Sequence, residues 1–369
     1  MSVRVKASKM GWSVVWAVVA LSLSAIALQA QNIYTRTNLV SDIAGVANFT
    51  DPKLVNAWGI AASPTSPFWI ADNGTGFSTL YTGQGIAQAL VVTIPTPPNA
   101  KAGAVASPTG IVFNGSSDFV VSSGGKSGTS RFIFDTEDGT ISGWSPTVDG
   151  THAILAVNHS GPGLSADRTP LGAVYKGLAI GNNGSANFLY ATNFRDATVE
   201  MYNGQFQLVK KFTDANVPAG FAPFGIRNIN GQLFVTYAKQ DAKKHDDVAG
   251  PGNGFVDIFD LNGNLLKRFA SEGTLNSPWG LALAPASFGM FGTALLVGNF
   301  GDGRISAFDI STGNALGQLK DPFGNLLTIN GLWSLSFGND HNAAPSSTLF
   351  FTAGIADEAH GLFGQITAP

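Results

Sequence analysis

The sequence predicts an all-β fold, a six-bladed β-propeller closed by pairing the first strand of the mature chain with the last blade. Three observations predict it. Short apolar runs are punctuated by Gly, Asn, Asp, Ser and Thr, and amphipathic helical patterns are scarce after residue 30. One motif recurs six times at a period near that of a propeller blade. The last repeat lacks a strand that the mature N-terminus can supply.

The motif is Pro or a polar residue, then an aromatic or small residue, then Gly, then alternating apolar residues. Its copies are Ala57-Trp58-Gly59-Ile60-Ala61, Pro108-Thr109-Gly110-Ile111-Val112, Tyr175-Lys176-Gly177-Leu178-Ala179, Pro223-Phe224-Gly225-Ile226-Arg227 and Pro278-Trp279-Gly280-Leu281-Ala282. In the sixth, Leu332-Trp333-Ser334-Leu335-Ser336, Ser replaces Gly. From Gly59 to Ser334 the intervals are 51, 67, 48, 55 and 54 residues. Innermost strands crowd around the axis, where a missing side chain permits close backbone approach. The aromatic beside the Gly is expected to fill the wedge between blades.

A second apolar run follows each copy: Phe68-Trp69-Ile70-Ala71, Phe119-Val120-Val121, Phe188-Leu189-Tyr190-Ala191, Leu233-Phe234-Val235-Thr236, Leu295-Leu296-Val297-Gly298 and Leu349-Phe350-Phe351-Thr352. Third strands are expected at Phe132-Ile133-Phe134-Asp135, Val199 to Asn203, Val256 to Asp260 and Ile305 to Asp309. Asn203-Gly204, Asn262-Gly263 and Thr312-Gly313 then supply residues tolerant of the tight turns that hairpins need. Fourth strands follow, as at Phe206 to Lys210 and Leu265 to Phe269. The sixth unit ends at Gly361 to Ile366 without one, and the stretch from Ile33 to Val40 is free to pair there. Closing the ring in this way removes two exposed sheet edges, whereas a linear solenoid leaves both.

Hydrophobic residues make up 44% of the 369, enough for a large core and too many for disorder. Charged residues total 12% and no basic stripe appears in the body, which argues against nucleic acid as a partner. There is no cysteine, so disulfides and thiolate metal sites are excluded.

Residues 1–30 read as a secretory signal peptide. Arg4, Lys6 and Lys9 precede the apolar run 11–28, and small residues end it at Ala27 and Ala30. An uncleaved anchor is the rival reading, because the run approaches spanning length. Removing the three cations takes the formal charge from −3 to −6. The expected organisation is therefore a leader, 1–30, and one propeller domain, 31–369. The expected location is secreted or periplasmic, with no stable membrane insertion after cleavage.

Ser277-Pro278-Trp279-Gly280-Leu281-Ala282-Leu283-Ala284-Pro285, Leu296 to Ile305, Phe351-Thr352-Ala353-Gly354 and Asp357 to Gly364 together resemble a family of secreted bacterial six-bladed propeller proteins without an assigned activity. The resemblance covers essentially the whole mature chain. More loosely, the blades resemble NHL-repeat and SMP-30/gluconolactonase-like propellers. These likenesses imply fold and export; the scaffold alone implies no chemistry.

Function is expected on the face that carries the loops between second and third strands, around the channel mouth. Candidate ligand-binding residues there are Asp72, Asn73, Asn193, Arg195, His245, Asp246, Asn299, Asp302, Arg304, Asp357 and His360, with Lys126 and Glu358 on the same loops. A ring of carboxylates and amides could hold Ca²⁺ or another divalent cation, with Asp72, Asn193 and Asn299 as candidate ligands, although no cofactor is evident. Polar loop tips that merely meet water and cap turns are the plain alternative. No histidine spacing suits a preformed zinc site. Gly124-Gly125-Lys126-Ser127 lacks the leading Gly of a phosphate loop, and Asp260-Leu261-Asn262-Gly263-Asn264 reads as a hairpin turn.

Two functions follow. The first is binding of a small molecule, glycan or protein ligand on the loop face. The alternative is a divalent-metal-assisted hydrolase or lactonase of the SMP-30-like type. Against it, those enzymes place a Glu before the first inner strand, and the stretch Asp51 to Ala57 has none.

Overall fold

A computed structural model describes residues 1–4, 31–161 and 172–369. It divides into two units, Met1–Ala30 and Gln31–Pro369. In the first, residues 1–4 carry no regular structure, and the expected leader otherwise lies outside the described residues. Among the described residues no helix is long and apolar enough to cross a membrane.

Among the described residues the second unit holds six sheets of at least four antiparallel strands, each built from consecutive chain segments except blade two, which an inserted hairpin interrupts, and the last. Strands alternate between faces, and each sheet buries both faces against its neighbours. Hence the inner strands read as nearly continuous apolar runs. Blade three is representative: Tyr175–Asn182, Asn187–Asn193, Thr198–Asn203 and Leu208–Phe212, from the axis outward.

The ring closes as expected. Thr35–Ser41 pairs antiparallel with His360–Thr367, from Thr35 opposite Thr367 to Ser41 opposite Leu362, with one register shift between Asn38 and Val40. It thus becomes the fourth strand of blade six. Ser41 Oγ donates to the Gly361 carbonyl at 2.8 Å, and Asp42 accepts from the Gly361 N–H at 2.9 Å.

Blade two differs from the sequence expectation. Phe119-Val120-Val121 is not its second strand. Val120–Ser123 and Lys126–Thr129 form a separate two-stranded hairpin, and Phe132–Thr136 pairs directly with the inner strand Pro108–Phe113. The expected third strand is therefore the second, and the hairpin accounts for the 67-residue interval. Lys126 sits in that inserted hairpin. The loop between the second and third strands of blade two instead begins at Glu137.

The repeated Gly does what close approach requires. A Cβ on Gly280 would lie 2.6 Å from the Trp333 carbonyl oxygen of the next blade, inside any real carbon–oxygen contact. The residue before it is placed differently from expectation. The innermost strand pair shifts register at this step in all six blades. A bulge re-aims the local side chain. Trp58, Phe224, Trp279 and Trp333, from blades one, four, five and six, consequently meet in one buried cluster at the axis rather than between blades. Trp58 and Trp333 are 3.8 Å apart between ring centroids, and Phe300 stacks on Trp333 at 3.9 Å.

Candidate functional site at the axial mouth

The six residues preceding the repeated Gly or Ser are Trp58, Thr109, Lys176, Phe224, Trp279 and Trp333. Blade three thus places a cation where most copies place an aromatic. Lys176 is 2% exposed, and its Nζ lies 5.1 Å from the Trp58 ring centroid and 5.9 Å from that of Phe194. A buried ammonium needs paired acceptors. They come from neighbouring blades: Glu137 of blade two bonds Nζ directly, and Asp246 of blade four lies 3.4 Å away. Burial works to lower the Lys176 pKa, but Glu137 and Asp246 more than offset it, and the group is held as an ammonium.

From Glu137 a hydrogen-bonded chain crosses two further blades. Asn73 Nδ2 donates to Glu137 Oε2 at 2.9 Å, and Asn56 Nδ2 donates to Asn73 Oδ1 at 3.2 Å and to Glu358 Oε2 at 2.7 Å. Trp333 Nε1 donates to Asn56 Oδ1 at 3.0 Å, so the aromatic plug fixes the amide. Trp279 Nε1 likewise donates to the Lys176 carbonyl at 2.8 Å. His245 Nδ1 lies 2.7 Å from Asp246 Oδ1.

Glu358 is delivered by an unusual backbone. Ala356, Asp357 and Glu358 have φ of 54°, 52° and 65°, three successive non-Gly residues in the left-handed region. Each costs roughly 1–2 kcal/mol relative to a right-handed conformation. Burial, aided by the nearby charge of Glu137, pushes the Glu358 carboxyl up to about 7. Burial also acts to raise Asp246, but its hydrogen bond to His245 and the Lys176 charge hold it well below the usual carboxylate range. Two neighbouring carboxyls are thereby driven apart in acidity. Beside them opens a cleft of about 470 Å³ lined by Phe300, Asp302, Asp357 and Glu358.

Of the residues singled out from the sequence, Asn73, His245 and Asp246 come together here, while Asp302 and Asp357 line the adjoining cleft. Asp72, Asn193 and Asn299 do not converge; each is buried and bonded within its own blade or its connections. Asp72 Oδ2 accepts from the Thr79 N–H at 3.0 Å. Asn193 bonds Asp196 and Glu200, and Asn299 accepts from the Asn276 N–H at 3.1 Å. Arg195 donates to the Gly172 carbonyl, and Arg304 lies 3.9 Å from Asp302. His360 Nδ1 lies 2.7 Å from Asp42 Oδ2 at the ring closure.

Asn56, Glu137 and Lys176 are not among the candidates the sequence offers. The signal for Lys176 was available: it alone puts a charge at the repeated aromatic position. Glu137 was hidden by the strand assignment in blade two. Asn56 stands in the stretch where the SMP-30-like pattern has Glu.

Among the described residues, one group of three acidic or histidine side chains converges enough to consider a metal: Glu137, His245 and Asp246, with ligand atoms within 4.8 Å of one another. Two of the three already hold the Lys176 ammonium. A divalent ion about 4 Å from that ammonium would meet a repulsion of roughly 8 kcal/mol at an effective dielectric near 20. The donor set with Lys176 charged does not fit a resident divalent cation.

The sequence is 31% identical to the uncharacterized protein R648 of Acanthamoeba polyphaga mimivirus over 335 residues, 89% of this chain and 78% of that protein. It is 30% identical to protein L690 of the same virus, again over 89% of this chain and 84% of that protein. These relatives are viral, where the sequence resemblance implied a bacterial family. No protein-family model matches. A streptogramin B lyase superposes with a TM-score of 0.52 at 14% identity, covering 91% of this chain and 97% of the lyase. A gluconolactonase of Xanthomonas campestris gives 0.52 at 16% identity, over 86% and 87% of the two chains. Likeness at such low identity shows the propeller fold alone.

Proposed function

We propose that this chain, which belongs to the family of the mimivirus proteins R648 and L690, binds a small polyhydroxylated ligand, a glycan or sugar lactone, at the axial mouth of its loop face. The observation that carries this reading is the continuous bonded array Lys176–Glu137–Asn73–Asn56–Glu358, assembled from blades three, two, one and six. The array fixes carboxylate and amide groups in place before a ligand arrives. Such preorganised acceptors and donors match the paired hydroxyls of a sugar. Phe300 beside the cleft offers an apolar surface for the C–H face of a ring. The leader expected over residues 1–30 would place the basin outside the cytoplasm.

Calorimetric titration of mono- and oligosaccharides, sugar lactones and polyols tests the reading. A ligand of this class should lose affinity about tenfold or more in Asn73→Ala and Asp246→Asn, the loss of one charge-assisted or buried hydrogen bond. A ligand bound equally by both variants would remove the site from this role.

Hydrolysis of a lactone is the second reading, favoured by the opposed acidities of Glu358 and Asp246. Asp246 would orient His245 to accept a proton from water, and Glu358, protonated up to about pH 7, would donate to the leaving oxygen. No divalent ion takes part in this version. Turnover of sugar lactones should survive a chelator and fail in Glu358→Gln; turnover that requires added metal would overturn it.

A further inference from the structure

On the other side of the aromatic plug, the inner strands line a second, open cavity of about 370 Å³. Ile60, Ile111, Leu178, Ile226 and Leu281 form its aliphatic wall, Asn228, Ser334, Ser336 and Asn339 add polar groups, and Trp279 stands at the plug. Arg227 is the only charged side chain lining it among the described residues. It reaches from blade four to its two successors. Nη1 donates to the Leu281 carbonyl at 3.1 Å and to the Leu335 carbonyl at 2.7 Å, and Nη2 lies 3.5 Å from Ser336 Oγ.

These bonds use part of the guanidinium. Its Nε–H and one Nη2–H have no protein acceptor among the described residues, and no carboxylate pairs with it there. A guanidinium edge made of Nε–H and Nη2–H is the fork that a carboxylate engages with two parallel hydrogen bonds. Burial lowers the Arg227 pKa, and no acidic neighbour opposes that effect. A cation left without a counter-charge beside the aliphatic wall gains from an anion whose body packs against that wall.

We propose that this cavity binds a small organic anion, a carboxylate carried on a short apolar body, with the carboxylate on Arg227 and the body against the inner-strand aliphatic side chains. The site lies apart from the Lys176 basin and does not depend on it.

The rival role for Arg227 is a staple that ties blades four, five and six through backbone carbonyls. Titration with hexanoate, 1-hexanol and acetate separates the two, read by calorimetry. On the unaltered protein, hexanoate should bind about tenfold or more tighter than either hexanol, which lacks the charge, or acetate, which lacks the body. Arg227→Met should erase the advantage of hexanoate over hexanol, and Arg227→Lys should keep part of it. The proposal is overturned if hexanoate binds no tighter than hexanol, if none of the three binds, or if a folded R227M retains the preference. Should R227M fail to fold, the hexanoate-to-hexanol ratio on the unaltered protein decides alone.

Discussion

The ammonium of Lys176 lies 5.1 Å from the ring centroid of Trp58, and the two residues hold the same place in blades three and one. A repeat that sends aromatic side chains to the axis has, in one copy, sent a charge there instead. The aromatic faces favour a cation by their quadrupoles, and the carboxylates of Glu137 and Asp246 complete its coordination. The basin is organised around the charge of a protein side chain.

Lys176→Met should therefore do two things. It leaves Glu137 without its counter-charge in a largely buried position, at a cost of about 3 kcal/mol. It also frees the Glu137–His245–Asp246 group for a divalent cation. Added Ca²⁺, Mn²⁺ or Zn²⁺ should raise the melting temperature of the variant and leave the unaltered protein unmoved. Equal metal response in both proteins would refute the ammonium's role as resident cation.

Glu358 gives the pH dependence. Its carboxyl titrates at about 7 in the folded chain against an ordinary value of 4.5. Between those values the folded state keeps a proton that the unfolded state has released. The contribution is complete below pH 4.5 and is lost as pH rises through 7. Glu358→Gln, a mimic of the protonated form, should match the unaltered protein near pH 4 and exceed its stability at pH 8 by on the order of 2 kcal/mol after screening. Urea denaturation at the two pH values measures this. An equal gain at both would trace the effect to packing rather than to the proton.

The architecture was legible because it is written six times. The Trp58-Gly59 pattern, its five echoes, and a spare strand at Ile33 to Val40 specify blades and closure without any long-range information. The site was legible only where loops carry it, as at Asn73, His245 and Asp246. Lys176 lies inside a strand, and its arrival at the axis depends on a register shift that no local pattern announces. Glu137 depended on knowing that Val120–Thr129 is an insertion: an apolar run of the right length stood where a second strand belonged. Asp72, Asn193 and Asn299 misled in the opposite way. They occupy equivalent positions, but one residue before the position that faces the axis, where Asn73 and Glu137 stand.

The left-handed turn at Ala356, Asp357 and Glu358 holds strain beside the cleft. Ala356→Gly removes the steric cost at the first of the three, and should stabilise the protein by about 0.5–1 kcal/mol after the added freedom of the unfolded chain is counted. It should also loosen the placement of Glu358 and weaken any ligand of the basin. Stability by urea titration and ligand affinity should move in opposite directions. Gains in both would mean that the turn is not held for the sake of the site.

Ring closure rests on pairing between distant chain segments, and this too can be separated from sequence-local effects. Thr35–Ser41 supplies the fourth strand of blade six, and buried Leu39 and Val40 pack with Phe350 and Phe363. Tyr34 is anchored by its N–H to the Lys320 carbonyl at 2.8 Å. A chain without residues 31–41 should expose His360–Thr367 as a bare edge, melt at lower temperature and self-associate. A permuted chain carrying residues 31–42 after Pro369 through a short flexible linker should recover most of the loss. The strand then returns antiparallel to its partner as an ordinary hairpin. Recovery by the permutant is required if edge pairing is what seals the ring. A permutant as unstable as the deletion, with both monomeric and native-like by circular dichroism, would place the stabilisation in contacts other than this strand pair.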